Sequence, residues 1–358
     1  MDFTFTAEQD VLRGTIRSLA EDHTAFDRVR RTAGFDPEMW AVVAGQLGLP
    51  GVALAERHGG AGGSWVEAGI VFEEAGRALL PVPLLATMTA AAAIERAGGA
   101  LADELLPELA TGRRIAAVCV GRGLTGDSGP GGMTLEGRLD QVVDAESADL
   151  LVAVADLAGE PSLVAIETDQ PAVERIPLAT LDPTRRQASV VLHGAGGSRL
   201  GGAEAADVAT GLLRVALAVE AIGGARRCLE MTLDYLRRRV QFGQPIGSFQ
   251  ALQHRAADLA VQLEAAASTG YYASWAAAAE PAQLNLVGPL AKAVCCDAFF
   301  HIAAESIQLH GGIGFTWEHE AHLYFKRATT SRLLLGDSRA QRRAVAIAAG
   351  LGVASGPG

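Results

Sequence analysis

The sequence has no excess of positive charge. Its 30 Lys and Arg stand against 41 Asp and Glu, for a formal net charge of -11. That argues against nucleic acid as a partner, which needs a basic face. It is neutral about an acidic metabolite, which needs only a local basic patch. Cysteine is scarce. Cys119, Cys228, Cys295 and Cys296 show no metal-ligand spacing, and the adjacent pair makes poor partners for one zinc. No metal site is expected, and the four read as small buried hydrophobes in a reducing compartment. No run of about 18 apolar residues is free of charge, so no membrane span is expected. Met1, Asp2 and Phe3 are followed at once by polar residues rather than by a leader pattern. The expected location is therefore cytoplasmic. Aromatic residues make up only 5% of the chain, and no internal repeat appears.

What is present is aliphatic and glycine-rich. The chain is 49% hydrophobic with 42 Gly in 358 residues, a globular composition long enough for two or three packed units. The first part reads as helical. Thr6 and Gln9 have capping-box spacing, and Leu12, Ile16 and Leu19 share one helix face. Asp36-Pro37 opens a second helix carrying Met39, Trp40, Val43 and Leu47 inward. Residues 57–64 hold too many Gly to stay helical. Helices return over 66–80 and 84–97, separated by Pro81-Val82-Pro83.

The composition shifts near Thr111. Short β-rich runs at 115–120, 150–154, 162–166 and 188–192 predict a small antiparallel sheet or barrel, with a turn at Asp182-Pro183-Thr184. Long helices resume after Gly202, with apolar stripes such as Leu212, Val215, Val219 and Ile222. Further helices are expected over 251–279, 291–309 and 318–334, then one over 339–349 capped by Asp337 and Ser338, and a frayed tail at 354–358. Lys292, in an Ala-rich helix, reads as a snorkelling surface residue. His310 reads as a packing or capping side chain.

Two stretches stand out. Residues 236–246, LRRRVQFGQPI, hold Arg239, Gln241, Phe242 and Gly243, with Gln250 following. Residues 308–317, QLHGGIGFTW, place Gln308 ahead of Gly311, Gly312 and Gly314. A guanidinium fork suits two phosphate oxygens, and clustered Gly lets backbone approach a ligand. The pair points to a site for a large phosphate-bearing cofactor. The alternative is a helix end and a Gly-rich loop with Arg239 solvated.

Read together, the two stretches resemble the C-terminal signatures of the acyl-CoA dehydrogenase family. The pattern there is Arg-x-x-Phe-Gly, a later Gln, then Gln-x-x-Gly-Gly-x-Gly. The similarity extends through Trp317-Glu318-His319-Glu320 and Tyr324-Phe325-Lys326-Arg327, and the early Gly-Gly loop matches too. The resemblance implies an α+β fold: an N-terminal helical domain (1–112), a middle β-barrel or sheet domain (113–200) and a C-terminal four-helix bundle (201–358). It implies FAD as cofactor, an acyl-CoA substrate, α,β-desaturation of the thioester, and electron-transfer flavoprotein or a similar acceptor. The cofactor-binding residues it assigns are Arg239, Gln241, Phe242, Gln250, Gln308, Gly311 and Gly312.

The family's chemistry needs a carboxylate base beside the substrate Cα. In most members a Glu precedes Gly-Thr before the last helix; here that position is Leu335, ahead of Gly336 and Asp337. In a minority the Glu lies on the first long helix, a position that falls near Leu213 here, with no carboxylate adjacent. Leucine cannot take a proton. Asp337 is a weak candidate base, more in keeping with a helix N-cap, and Glu220 is a more distant one. The family's flavin-ring loop is absent at 119–124, and its Trp-Ile-Thr strand falls on Gln141-Val142-Val143. In the family the retained motifs reach a neighbour's cofactor. The expectation is thus a supporting chain in a heteromer, often α2β2, with a related acyl-CoA dehydrogenase chain that supplies base and ring pocket. Steroid or fatty acyl catabolism is expected from resemblance alone. The alternatives are a self-sufficient dehydrogenase with a relocated base, a structural or binding member of the fold, and another flavin enzyme such as an oxidase.

Overall fold

The structure, a computed structural model, describes residues 5–23, 31–129 and 132–351; the tail expected at 354–358 lies outside them. Helices come first. Helix α1 (Ala7–His23) starts on a reciprocal cap: Thr6 N donates to Gln9 Oε1 at 3.0 Å, and Gln9 N to Thr6 Oγ1 at 3.2 Å. Helix α2 (Pro37–Trp40) is capped by Asp36, whose carboxylate accepts from Glu38 N and Met39 N. It runs on into a π-helical turn at Ala41–Gln46. A Ser64–Glu67 capping box opens α3 (Trp65–Ala78), and α4 (Leu84–Ala97) follows the proline break. One further helix, α5 (Ala100–Ala110), carries a proline at Pro107 and was not among the expected elements.

The middle region is a sheet of seven strands: β1 (Ala116–Cys119), β2 (Leu124–Gly129), β3 (Gly132–Val143), β4 (Leu150–Leu157), β5 (Glu160–Glu167), β6 (Val173–Pro177) and β7 (Gln187–Gly201). The pairings β4-β2-β3-β7-β5 close back on β4, so these five form a barrel. Strands β1 and β6 add to β4 and β7. The expected all-antiparallel arrangement is corrected here: β1 and β2 both run parallel to β4. One edge of β4 takes β1 along Leu150 to Ala153 and β2 at Asp156 and Leu157. A parallel pair needs a long crossover, and β2 with β3 supplies it between β1 and β4. Side chains alternate across the strands. Leu135, Leu139, Leu151, Ile166 and Val190 fill the barrel, and Val118, Val143, Val152 and Leu163 face the helices.

The C-terminal region holds α6 (Ala203–Arg238), α7 (Gln250–Ala279), α8 (Leu284–His310), α9 (Ala321–Leu333) and α10 (Ser338–Ala348). The stripe Leu212, Val215, Val219 and Ile222 on α6 is wholly buried, each residue contributing roughly 1.5–3 kcal/mol of burial. Helix α8 starts earlier than expected because Pro289 sits within it without ending it. Helices α3 and α6 meet through glycine. A Cβ on Gly76 would lie 2.1 Å from Glu220 O, and one on Gly223 1.8 Å from Glu73 O. By length and composition alone, segments 203–238 and 281–315 could cross a membrane, but their apolar windows are mostly buried here.

Candidate functional site

The retained motifs form an exposed rim. Helix α6 ends at Arg239, whose N donates to Tyr235 O at 2.8 Å. A tight hairpin of Val240–Gln241 and Gln244–Pro245 follows. Its turn is Phe242-Gly243, with φ of +55° and +79°, the pattern of a type I′ turn. Glycine suits that geometry; phenylalanine does not, and the strain marks a position held for another reason. Phe242 is 92% exposed.

Helix α8 ends at Gly311, where φ turns to +64°, and a 3₁₀ turn over Gly311–Phe315 follows. Phe315 and Trp317 are 85% and 63% exposed. The Lys326 ammonium lies over the Trp317 ring at 4.4 Å. Beneath the loop His310 is buried, its Nδ1 at 2.7 Å from Ser306 O, with its ring stacked between Tyr235 and His319. Burial, aided by His310, lowers the His319 pKa. Arg239, Gln241, Gln250, Gln308, Gly311 and Gly312 are all exposed. Among the described residues no hydrogen bond engages the side chains of Arg239, Gln250 or Gln308, and all three are open to solvent.

The expected ring position is a separate cavity of about 220 Å³. Its walls are Val118 and Val120 of the β1 edge, Asp140 to Val143 at the end of β3, Leu213 and Leu217 of α6, and Leu334 to Gly336 between α9 and α10. The structure thus gathers Leu335, Leu213 and Gln141-Val142-Val143 around one space. Leu213 and Leu335, which stand where the family resemblance looks for a base, both line it. Asp140 is the one carboxylate in the lining, and it is tied to Ser189 and to Arg138 at 2.9 Å. Those two bonds, the Ser189 one first, hold its pKa below the usual carboxylate range. Gln141 and Leu335 both have left-handed backbone, with φ of +60° and +58°.

Lys292 corrects an expectation. It is 1% exposed, not a surface residue. Its Nζ donates to Gly336 O at 3.0 Å and Arg332 O at 3.3 Å, a cation on the carbonyls where α9 ends. Gln341 Nε2 donates to Leu335 O at 2.6 Å. These bonds hold the segment that carries Leu335, and burial lowers the Lys292 pKa. Asp337 caps α10, accepting from Ala340 N at 2.9 Å, and is exposed outside the cavity lining.

Glu220 is also outside that lining. It belongs to a buried ionic junction that sequence reasoning missed. Arg327 of α9 reaches Asp182 Oδ2 at 2.6 Å, Thr184 O at 2.8 Å and Glu220 Oε1 at 3.3 Å. Arg185 bonds the same Glu220 oxygen. Asp182 also accepts from Thr184 N at 2.9 Å, the turn read in the sequence. That turn was the one available signal; the partners lie 35 to 145 residues apart.

Fit to FAD divides along the same line. The rim offers an unpaired guanidinium and open glycine backbone suited to a pyrophosphate. The cavity offers largely aliphatic walls, and its one carboxylate, Asp140, is bonded to Arg138 and Ser189. Among the described residues no group of three His, Cys, Asp or Glu could hold a metal ion.

Comparison with known proteins places this geometry. Residues 6–113 match the model of the acyl-CoA dehydrogenase N-terminal domain. Residues 201–350 match that of the acyl-CoA dehydrogenase C-terminal domain. The chain is 37% identical to acyl-CoA dehydrogenase IpdE2 of Mycolicibacterium smegmatis over 94% of its own length and 97% of the relative's. Its fold is similar to a chain of the Tcur3481-Tcur3483 steroid ACAD G363A variant, with a TM-score of 0.91 at 30% identity, covering 96% and 98% of the two chains. It is also similar to a chain of the ChsE4-ChsE5 complex from Mycobacterium tuberculosis, with a TM-score of 0.91 at 27% identity, covering 99% and 100%.

Proposed function

The chain belongs to the acyl-CoA dehydrogenase family of FAD-dependent oxidoreductases, and on that footing we propose that it is the supporting chain of a heteromeric member. It contributes the adenine and pyrophosphate half of a cofactor site whose ring half and base lie on a related chain. The observation that carries this reading is the pairing of an outward-facing rim with a cavity where Leu213 and Leu335 occupy both base positions. A residue that must take a proton from a substrate carbon has to stand beside it ionised. Leucine cannot, Asp337 is committed to a helix cap, and Glu220 is committed to two arginines.

In the assembly, the Arg239 guanidinium holds phosphate oxygens, and Gln241, Gln250 and Gln308 offer amides to the same ligand. The backbone at Gly311 and Gly312 lets it approach closely. Phe242, Phe315 and Trp317 are buried by the neighbour, which accounts for aromatic side chains left in water in the single chain. FAD, when bound, accepts the hydride from the acyl Cβ. Both structural relatives are two-protein complexes by name, and the steroid named for one supports a two-chain assembly acting on a steroid-derived acyl-CoA. Electron-transfer flavoprotein or a similar protein would take the electrons.

The test is visible absorbance of the purified chain, alone and co-expressed with a dehydrogenase-like chain encoded beside it. A colourless lone chain and a yellow complex with about one flavin per pair of chains fit the proposal. Yellow colour that an acyl-CoA bleaches in the lone chain would overturn it.

A further inference from the structure

The ionic junction around Glu220 is unbalanced in charge. Its members Arg185, Arg327, Asp182, Glu220 and Asp144 are all buried. Two guanidiniums therefore meet three carboxyls, and arginine keeps its charge throughout the accessible pH range. Asp182 and Glu220 each accept hydrogen bonds from the arginines. Among the described residues no side-chain donor bonds the Asp144 carboxyl, while Arg185 Nη1 and Glu220 Oε2 are the junction atoms left wholly buried without a partner. The charged groups facing it are Arg185 from the loop before β7, Glu220 of α6 and Arg327 of α9, the last carrying Asp182 on its other side. Arg186 also attracts it, but is engaged with Glu146 at 3.3 Å and Ala33 O at 3.2 Å. Helices α3 and α4 present only apolar groups here, Phe72, Ala75, Leu84 and Leu85. An ionised carboxylate with no hydrogen bond in such a place is costly, and neutralisation is the usual escape.

We propose that Asp144 is buried as the neutral acid and that its proton is a latch between the barrel and the helical bundle. When the proton leaves, the junction holds one uncompensated negative charge, and the seam between Asp182–Arg185 and helices α6 and α9 weakens. Burial pushes the Asp144 carboxyl up to about 7, against the pull of Arg185 and Arg327. The native state therefore holds a proton that the unfolded chain releases near the ordinary value of 3.8. Stability from this group is full below that value, falls as pH rises toward 7, and levels off above.

The latch also touches the cavity. Asp144 follows Val143 directly, and Glu220 continues the α6 stripe of Leu213 and Leu217, so the cavity wall and the junction share two elements.

Two measurements on the full chain decide the matter. With ¹³C-labelled aspartate, one side-chain carboxyl should titrate near pH 7, and that signal should vanish in Asp144→Asn. If every aspartate carboxyl is ionised at pH 6, the proposal fails, whether or not the variant folds. Urea unfolding from pH 5 to 8 supplies the second. The ratio of the wild-type unfolding constant to that of Asp144→Asn should rise roughly fiftyfold between pH 5 and 7 and then flatten. A ratio independent of pH would refute the latch.

Discussion

Phe242 separates the stability of the chain from the strength of its assembly. In the single chain its ring is 92% exposed, and its one aromatic contact is Phe249 at 6.1 Å. Truncation to alanine removes almost no burial from the folded chain, so unfolding should change by no more than about 0.5 kcal/mol. Covering the ring at an interface is another matter. Burying a phenylalanine relative to water is worth about 1.5–3 kcal/mol, so Phe242→Ala should weaken association roughly 10- to 150-fold. Backbone strain provides a control of opposite sign. At φ +55° a non-glycine residue stores about 1 kcal/mol. Phe242→Gly releases that strain, largely offset by the greater freedom of glycine when unfolded. It should match the alanine variant in association while leaving the chain at least as stable as Phe242→Ala does. The assay is sedimentation equilibrium of the chain with a co-expressed dehydrogenase-like chain, alongside urea unfolding of the chain alone. Unchanged association, or a loss of chain stability as large as the loss of association, would refute the reasoning.

Other outcomes follow from the same geometry. Arg239→Ala should weaken flavin retention by the complex by about 1.5–3 kcal/mol, the range for a charged hydrogen-bonding partner; full flavin occupancy after dialysis would exclude that role. Asp337→Asn keeps a good capping side chain and should leave turnover of the complex largely intact, whereas a fall of about a thousandfold would make it an acid-base group. Leu335→Glu puts a carboxylate on the cavity wall but should give the lone chain no dehydrogenase activity if, as proposed, the ring site lies on the related chain; any acyl-CoA-dependent dye reduction would count against that. Arg327→Met strands Asp182 and Glu220 without their shared cation and should cost about 3–5 kcal/mol in urea unfolding, while an unperturbed midpoint would mean that the junction carries no stability.

The helical parts were legible because apolar spacing and caps act over a few residues. Asp36, Ser64 and Asp337 all announce helix starts, although the Ser64–Glu67 box went unread. Strands β2, β3 and β6 were not legible. LTGDSG and GMTLEGRLDQVV carry glycine and charge where a strand would show aliphatic alternation, and the barrel holds them through pairing. Lys292 misled for a related reason. Its neighbours in sequence are alanines, but its partners are carbonyls 40 and 44 residues away. The leucine at 335 could be read directly, whereas the arrival of Leu213, Leu335 and Gln141 at one cavity required the fold. The junction at Arg327 was invisible because each member looks like an ordinary surface charge until the chain is closed.

The glycine crossing of α3 and α6 limits how this molecule can move. Domains usually slide by small rotamer changes in a layer of interlocked side chains. At Gly76 and Gly223 that layer is missing, and backbone rests on backbone. The N-terminal helices and the bundle therefore cannot shear past one another without colliding, and together they form the stator of the protein. The barrel is attached differently, through apolar side chains such as Val118, Val143, Val152 and Leu163 and through the ionic junction at Arg327. The outward rim sits on the stator, so a subunit docked there would meet a surface that cannot yield by sliding.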